Sequence, residues 1–147
     1  MTKDVDALGG LILEVFRLNG TLIAQGDQKV APFGLSSARW QVLGGACRSA
    51  SALTVSQLAR ETGASRQAVQ RIVNTLVADG LVEMSDNPRD RRALLVTVTQ
   101  AGRQTYAQAD GVRRAWLDDV AGKLDAAEVA QTRQLLAKLR DLLSPNS

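Results

Sequence analysis

Residues 54–80 have the sequence TVSQLARETGASRQAVQRIVNTLVADG, which predicts two short helices joined by a tight turn. Small and apolar residues occupy Ala59, Gly63, Val69 and Ile72. This skeleton lets two helices cross closely, as they do in a DNA-binding helix-turn-helix.

The second of these helices keeps its apolar residues on one face and leaves a polar face free. That face carries arginine, glutamine and asparagine, which hydrogen-bond to base edges and phosphates. Its members are Arg66, Gln67, Gln70, Arg71 and Asn74. Taken alone, such a face is more often the solvated side of an ordinary amphipathic helix, so the neighbouring elements must decide between the two interpretations.

Two helices are predicted upstream of this segment. Apolar residues recur at helical spacing over residues 4–25. The segment GDQKVAPFG, residues 26–34, holds two glycines and a proline and predicts a loop. A second helix is expected to begin after Ser36. Over the whole chain, the helix caps expected from residue type are Asp4, Ser36, Thr54 with Gln57, Ser65 and Asp125.

The pattern changes downstream of the helix pair. Short apolar runs flank the turn-rich segment SDNPRDRR, residues 85–92, and LLVTVT follows it. These features predict two short strands joined as a hairpin, and a hairpin directly after a recognition helix is a wing. The alternative interpretation is that the arginines of this segment only form a charged turn that keeps the hairpin soluble. Two long helices then follow, the last one rich in leucine.

Composition restricts the function. The 147 residues suit one domain with its own core, and the net charge is only +3. The excess lies mostly in residues 54–103, which hold seven arginines against five acidic residues, so the basic surface is local. With no histidine and one cysteine, Cys47, we expect no metal site, no cofactor and no disulfide framework.

Several classes of protein are disfavoured. No histidine serves as a general base, no glycine-rich phosphate loop occurs, and no Ser or Cys nucleophile has an evident partner, so we do not expect an enzyme. Acidic residues near the N-terminus argue against a secretory signal. Charges break the apolar stretches before membrane-spanning length, so no transmembrane helix is expected. We therefore expect a cytoplasmic protein.

The order of elements and the stretch DNPRDRRALLVTVTQAG, residues 86–102, resemble the MarR family, the multiple antibiotic resistance regulators. The resemblance covers essentially the whole chain. Its specific positions are Ala38, Trp40 and Leu43 in the second helix and Asp90, Arg92, Val96, Val98, Thr99 and Gly102 around the wing. Family members usually have leucine at the position of Val98.

The resemblance implies a mainly α fold with a small two-stranded β-wing. It implies a single domain over residues 1–147, with a winged helix-turn-helix lobe at about 36–99 flanked by dimerisation helices at about 4–25 and 100–144. It further implies a homodimeric, sequence-specific transcriptional regulator, most often a repressor, bound to a pseudo-palindromic operator. The alternative from a different class is a winged-helix protein-interaction module without operator specificity.

By position in the family, the recognition helix covers residues 65–79 and enters the major groove. The implied DNA contacts are Ser65, Arg66, Gln67, Gln70, Arg71, Asn74, Arg89, Arg91 and Arg92. Arg92 is expected in the minor groove, whose negative potential attracts inserted arginine. Asp90 is expected to hold the Arg92 guanidinium in place, since a nearby carboxylate can orient that group.

Family members bind small, frequently aromatic or phenolic effectors between the dimerisation helices and the winged lobe. Candidates for such a pocket are Phe16, Trp40 and Tyr106, although core packing is the default role of Trp40. Cys47 is expected to be a small buried residue; the alternative is a redox switch, which would need an accessible thiolate of low pKa. The expected dimer interface contains Leu11, Val15, Leu135, Leu136, Leu139, Leu142 and Leu143, which one lobe would struggle to cover.

Overall fold

Over residues 2–145, the computed structural model has six α-helices and three short β-strands. In chain order they are α1 (Thr2–Val30), α2 (Ser37–Arg48), β1 (Leu53–Thr54), α3 (Val55–Thr62), α4 (Arg66–Ala78), β2 (Val82–Ser85), β3 (Leu95–Val98), α5 (Gln100–Ala121) and α6 (Ala126–Leu143). The prediction of a mainly α chain with a winged helix-turn-helix lobe is confirmed.

The chain divides into two compact units, residues 1–110 and 111–147, and their boundary falls inside α5. The first unit holds the buried core of the winged lobe, to which α2, α3, α4, β2 and β3 all contribute. Its largest fully buried side chains are Leu43, Leu58, Leu76, Val30, Val42, Val69, Val73, Val82 and Val96. The second unit holds the end of α5 and all of α6.

The helix-turn-helix forms as its sequence predicts. A capping box opens α3, because Thr54 Oγ1 accepts from the Gln57 amide at 3.2 Å and Gln57 Oε1 accepts from the Thr54 amide at 2.9 Å. Gly63 ends α3 with φ of 71°, a conformation that glycine adopts without steric cost. Ser65 Oγ then accepts from the Ala68 amide at 3.1 Å and begins α4.

The sheet has three strands in the order β1-β3-β2. The β2–β3 hairpin was predicted, whereas β1 was not. Leu53 and Thr54 pair antiparallel with Val96 and Leu95 of β3. A strand of two residues is too short to show alternation in the sequence, so only its pairing reveals it. The extra strand joins the start of α3 to the base of the wing.

The first helix is longer than predicted, because residues 26–30 continue it and Ala31–Phe33 add a 3₁₀ turn. The expected loop at 26–34 was therefore wrong over its first half, and Asp4 lies in the first turn rather than at the N-cap. Gly26 serves close packing instead of a turn. A Cβ there would lie 2.3 Å from Ser37 Oγ, so only glycine lets α1 approach α2 this closely.

Hydrogen bonds fix the same α1–α2 contact. The buried Ser37 donates its hydroxyl to the carbonyl of Ile23 at 2.8 Å and its amide to Asp27 Oδ1 at 2.7 Å. Ser36 Oγ accepts from the Arg39 amide at 3.2 Å, as expected of a cap. The C-terminal end of α1 is thus part of the winged lobe.

The segment Thr2–Phe33 is long and apolar enough, by length and composition, to cross a membrane. The expectation that charges interrupt every apolar stretch before that length was wrong here. Over residues 7–24 the only charges are Glu14 and Arg17, which pair with each other at 2.8 Å. Most of this helix is exposed in the single chain, with large apolar side chains along it.

Candidate nucleic-acid interface

The recognition helix α4 is set against the core by one apolar stripe and presents the opposite face to solvent. Val69, Val73 and Leu76 are fully buried. The polar side chains named from the sequence are all exposed: Arg66, Gln67, Gln70, Arg71 and Asn74. No acidic residue occurs within Arg66–Ala78, so nothing on the helix itself repels a phosphate backbone.

Two amides in the middle of this face hold each other. Gln70 Nε2 donates to Asn74 Oδ1 at 2.9 Å, one helical turn away. The pair leaves Gln70 Oε1 as an acceptor and Asn74 Nδ2 as a donor. An adjacent donor and acceptor are what the major-groove edge of adenine pairs with, so the arrangement suits base readout.

The C-terminal end of α4 is tied to α2 by an ion pair that the sequence did not reveal. The Arg39 guanidinium donates to the carboxylate of Asp79, the C-cap of α4, and to the carbonyl of Gly34 at 3.1 Å. Arg39 Nε is buried and has no hydrogen-bond partner in the described structure. This contact fixes the recognition helix at the end opposite to the Ser65 cap.

The wing loop consists of two consecutive turns with the same construction. The Asp90 amide donates to the carbonyl of Asn87 at 3.2 Å, and the Ala93 amide donates to the carbonyl of Asp90 at 3.3 Å. In the first turn, Asn87 Oδ1 accepts from the Arg89 amide at 3.0 Å. In the second, Asp90 Oδ1 accepts from the Arg92 amide at 2.9 Å. Asn and Asp favour turns through this type of bond.

The expected contact between Asp90 and the Arg92 guanidinium takes a different form. The carboxylate bonds to the backbone amide of Arg92 and so shapes the turn, while the guanidinium extends from it. The reason is that the turn brings the amide two residues ahead within reach of the carboxylate. Three exposed wing arginines remain available for DNA: Arg89, Arg91 and Arg92.

The residues considered for an effector pocket are only partly brought together. Trp40 and Gly44 lie one turn apart on the same side of α2, and Tyr106 of α5 packs on Gly44, 3.0 Å from where a Cβ would stand. The Tyr106 hydroxyl accepts from Arg48 Nη1 at 3.2 Å. Phe16 lies on the outer part of α1 and is 70% exposed. The single chain does not place it with the other two.

Cys47 lies half-buried at the inner side of α2. Burial raises the pKa of the Cys47 thiol, and the guanidinium groups of Arg103 and Arg48 oppose that effect only in part. A raised pKa means less thiolate at neutral pH, the opposite of what a reactive redox cysteine requires. Cys47 therefore resembles a packing residue more than a sensor.

The leucines expected at a dimer interface differ in exposure within one chain. Leu11, Leu136 and Leu139 are half-buried, while Val15 is exposed. The remaining three are exposed by half or more: Leu135 at 51%, Leu142 at 73% and Leu143 at 69%.

Comparison with known proteins agrees with this geometry. The MarR family model matches residues 33–93, the segment that holds α2 through the wing. An uncharacterised protein of Mycobacterium tuberculosis is 38% identical over 135 residues, which span 91% of this chain and 92% of that protein. The transcriptional activatory protein BadR of Rhodopseudomonas palustris is 31% identical over 134 residues, 89% of this chain and 77% of BadR.

Solved structures share the fold at lower identity. The regulator MosR of M. tuberculosis, solved in complex with DNA, has a TM-score of 0.77 at 22% identity, covering 91% of this chain and 98% of MosR. CouR of Rhodococcus jostii, solved with p-coumaroyl-CoA bound, has a TM-score of 0.78 at 24% identity over 94% of both chains. With helix-turn-helix, wing and relatives in agreement, this chain belongs to the MarR family of transcription regulators.

Proposed function

We propose that this protein is a homodimeric, sequence-specific DNA-binding regulator that represses transcription until a small molecule releases it. The observation that carries the proposal is the acid-free polar face of α4 next to a wing that displays three arginines. A face that bound protein would be more apolar than this one. The helix would enter the major groove and Arg92 the adjacent minor groove.

Dimerisation is supported by the apolar surface that the single chain leaves open. Exposed large apolar residues run along α1 and recur on α6. Soluble monomers rarely expose such continuous apolar surface, and burial against a second copy would remove it from water. This explains the membrane-like composition of α1 without a membrane and fits a cytoplasmic protein. Two lobes would then reach successive major grooves about 34 Å apart.

Release by an effector is the finer part of the proposal. CouR was solved with an aromatic acyl-CoA, so at least one protein of this fold binds a ligand of that class. Here Tyr106 of α5 offers aromatic surface beside Arg48 of α2, and Trp40 lies about two turns before Arg48 on the same helix. A ligand would shift the lobes only if its affinity differed between their bound and released arrangements. BadR is named an activator, so the direction of regulation needs its own measurement.

The test is fluorescence anisotropy of the protein on the DNA directly upstream of its own gene, across a salt series. Arg92→Ala should weaken binding to this DNA by at least about fivefold, since a lost groove contact typically costs ~1–3 kcal/mol. The variant should stay folded and dimeric, because the Arg92 side chain is exposed and the turn uses only its backbone amide, which donates to Asp90 Oδ1. Random DNA and Lys123→Gln, which removes an exposed positive charge paired with Asp119 on α5, are the controls.

Three outcomes separate the alternatives. Tight, salt-sensitive binding to the upstream DNA that falls in Arg92→Ala supports the proposal. An unchanged dissociation constant for the variant would exclude Arg92 from DNA contact. Absence of binding to either DNA at low salt would favour the protein-interaction module. A reporter gene placed behind the bound DNA then distinguishes repression from activation.

A further inference from the structure

A cleft of about 550 Å³ lies between the start of α3 and the wing. One wall comes from β1 and α3 and includes Ser56, Gln57 and Arg60. The other comes from the wing and includes Asn87, Arg89 and Asp90. Of the three wing arginines expected to contact DNA, Arg89 lines the cleft, whereas Arg91 and Arg92 do not.

Two side-chain amides of the cleft, those of Gln57 and Asn87, keep their NH₂ groups as hydrogen-bond donors, because backbone amides already bond to their oxygens. Gln57 Oε1 accepts from the Thr54 amide, which leaves its NH₂ group free to donate. Asn87 Oδ1 accepts from the Arg89 amide, with the same result for Asn87. One oxygen of Asp90 is held by the Arg92 amide. A donor-rich cleft selects a ligand with several acceptor oxygens.

The charge of the cleft points the same way. Arg60 comes from α3 and Arg89 from the wing, so two separate elements each contribute an arginine to the lining of the cleft. Among the described residues neither guanidinium has a carboxylate partner. With Asp90 the only acid lining the cleft, cations outnumber anions there. Guanidinium groups bind phosphate through paired hydrogen bonds.

The position of the cleft indicates which phosphate it would meet. A recognition helix in the major groove and a wing in the neighbouring minor groove are separated by one sugar-phosphate strand. The first helix of a helix-turn-helix crosses that backbone. Since β1 pairs with β3, the start of α3 is fixed to the base of the wing. The cleft therefore lies where the intervening strand must pass.

We propose that this cleft clamps a backbone phosphate of the operator, with Arg60 and Gln57 on one side and Arg89 and Asn87 on the other. The proposal rests on the proposed DNA-binding function. It makes Arg89, which was expected only as an unspecified DNA contact, a phosphate contact, and it adds Arg60 and Gln57, which the sequence did not single out as DNA contacts. Phosphate contacts position a protein on DNA without reading sequence.

The test measures DNA affinity of Arg60→Gln, Arg89→Gln and the double variant across a salt series. For each bound lobe, a single variant should lower DNA affinity by about fivefold. The slope of log affinity against log salt concentration should also become less steep by about one for each lobe. The loss of affinity should be equal on upstream and random DNA, because phosphate groups carry no sequence information. The matched control is Arg133→Gln, which removes the same charge from an exposed arginine on α6. It should leave the salt slope unchanged and alter DNA affinity only by the small effect of the lower net charge of the protein.

Neutral methylphosphonate linkages, placed one at a time in the upstream DNA, identify the phosphate itself. At one position in each half-site, the neutral linkage should weaken DNA binding by the wild type but should not change DNA binding by the double variant. Unfolding curves confirm that the variants fold, which is expected because both arginines are exposed. If the wild type binds DNA and the variants bind with unchanged affinity and salt slope, the clamp is wrong and the proposed function stands.

Titration with pyrophosphate separates the two sources of a phosphate group. If pyrophosphate binds the wild type and not the double variant while that variant retains full DNA affinity, the cleft is a site for a free phosphate ligand and the DNA assignment is overturned. If the wild type binds neither DNA even at low salt, the proposed function fails and the clamp fails with it.

Discussion

Gly102 shows how a single residue holds the wing and α5 in register. A Cβ at this position would lie 2.0 Å from the carbonyl oxygen of Leu81 and 2.9 Å from Val98 Cγ1. The first of these atoms belongs to the backbone and cannot rotate away. The Gly102 amide donates to Thr99 Oγ1 at 3.0 Å, and that hydroxyl donates to the carbonyl of Gly80. Glycine is needed here for space, since its backbone is helical.

Gly102→Ala should therefore destabilise the fold by about 1–3 kcal/mol, the usual cost of overpacking a filled site. Urea unfolding followed by circular dichroism measures this cost. Gly111→Ala on the same helix is the matched control, because nothing lies within 4 Å of its Cβ position. That change should raise stability by up to about 1 kcal/mol through helix propensity. Equal effects of the two substitutions would contradict the packing role of Gly102.

Cys47 makes a second residue-scale prediction. Because burial raises the pKa of its thiol, the thiolate fraction at neutral pH is lower than in a solvent-exposed thiol of ordinary pKa. Alkylation by iodoacetamide should be slower in the native protein than in the urea-unfolded chain and should accelerate as pH rises. Mild hydrogen peroxide should leave DNA affinity unchanged. Faster labelling of the native protein would instead support a redox switch.

At the scale of elements, the recognition helix is fixed at both ends. Ser65 caps its start, and the Arg39–Asp79 pair ties its end to α2. Between them the helix packs on the core through its buried stripe. The cap residue also belongs to the expected DNA contacts, so its two roles must be separated by substitution.

Ser65→Ala should lower the free energy of unfolding by about 1 kcal/mol, because the Ala68 amide loses its acceptor. Ser65→Asp should keep stability near that of the wild type, since aspartate caps as well as serine and suits the helix dipole. Its negative charge should nevertheless weaken DNA binding severalfold through repulsion of phosphate. Undiminished DNA affinity of Ser65→Asp would place Ser65 away from the backbone.

At the scale of the whole molecule, the proposed dimer would cover the exposed apolar residues of α1 and α6. Among the leucines expected at an interface, Leu142 and Leu143 are the most exposed in the single chain. They are better probes than Leu136 and Leu139, which are half-buried and whose substitution would disturb the protomer itself.

Leu142→Asp combined with Leu143→Asp should convert a dimer into a monomer in sedimentation equilibrium, because both charges would be buried unpaired at the interface. Helicity of the remaining chain should be largely kept, since these side chains are exposed in one protomer. Leu94→Asp, an exposed leucine next to the wing, is the control and should remain dimeric. A stable dimer of the double variant would place the interface elsewhere.

Much of the fold was readable from the sequence because its signals are local. The caps at Thr54 and Ser65, the turn at Gly63 and the β2–β3 hairpin each depend on residues a few positions apart. Side-chain type and spacing determine such elements directly. The exposed polar face of α4 follows from the same periodicity.

Only the tertiary structure decided the contacts between distant parts of the chain. Gly26 looked like a loop residue until α2 was seen against it, and β1 exists only through its pairing with β3. The Arg39–Asp79 pair joins residues forty positions apart, and the cleft needs α3 and the wing side by side. Local spacing carries no information on which distant residues the fold brings together. The sequence by itself thus determined most of the elements and indicated the family, whereas β1 and the positions of Arg39, Arg60 and Arg89 relative to their neighbours depended on how the elements pack.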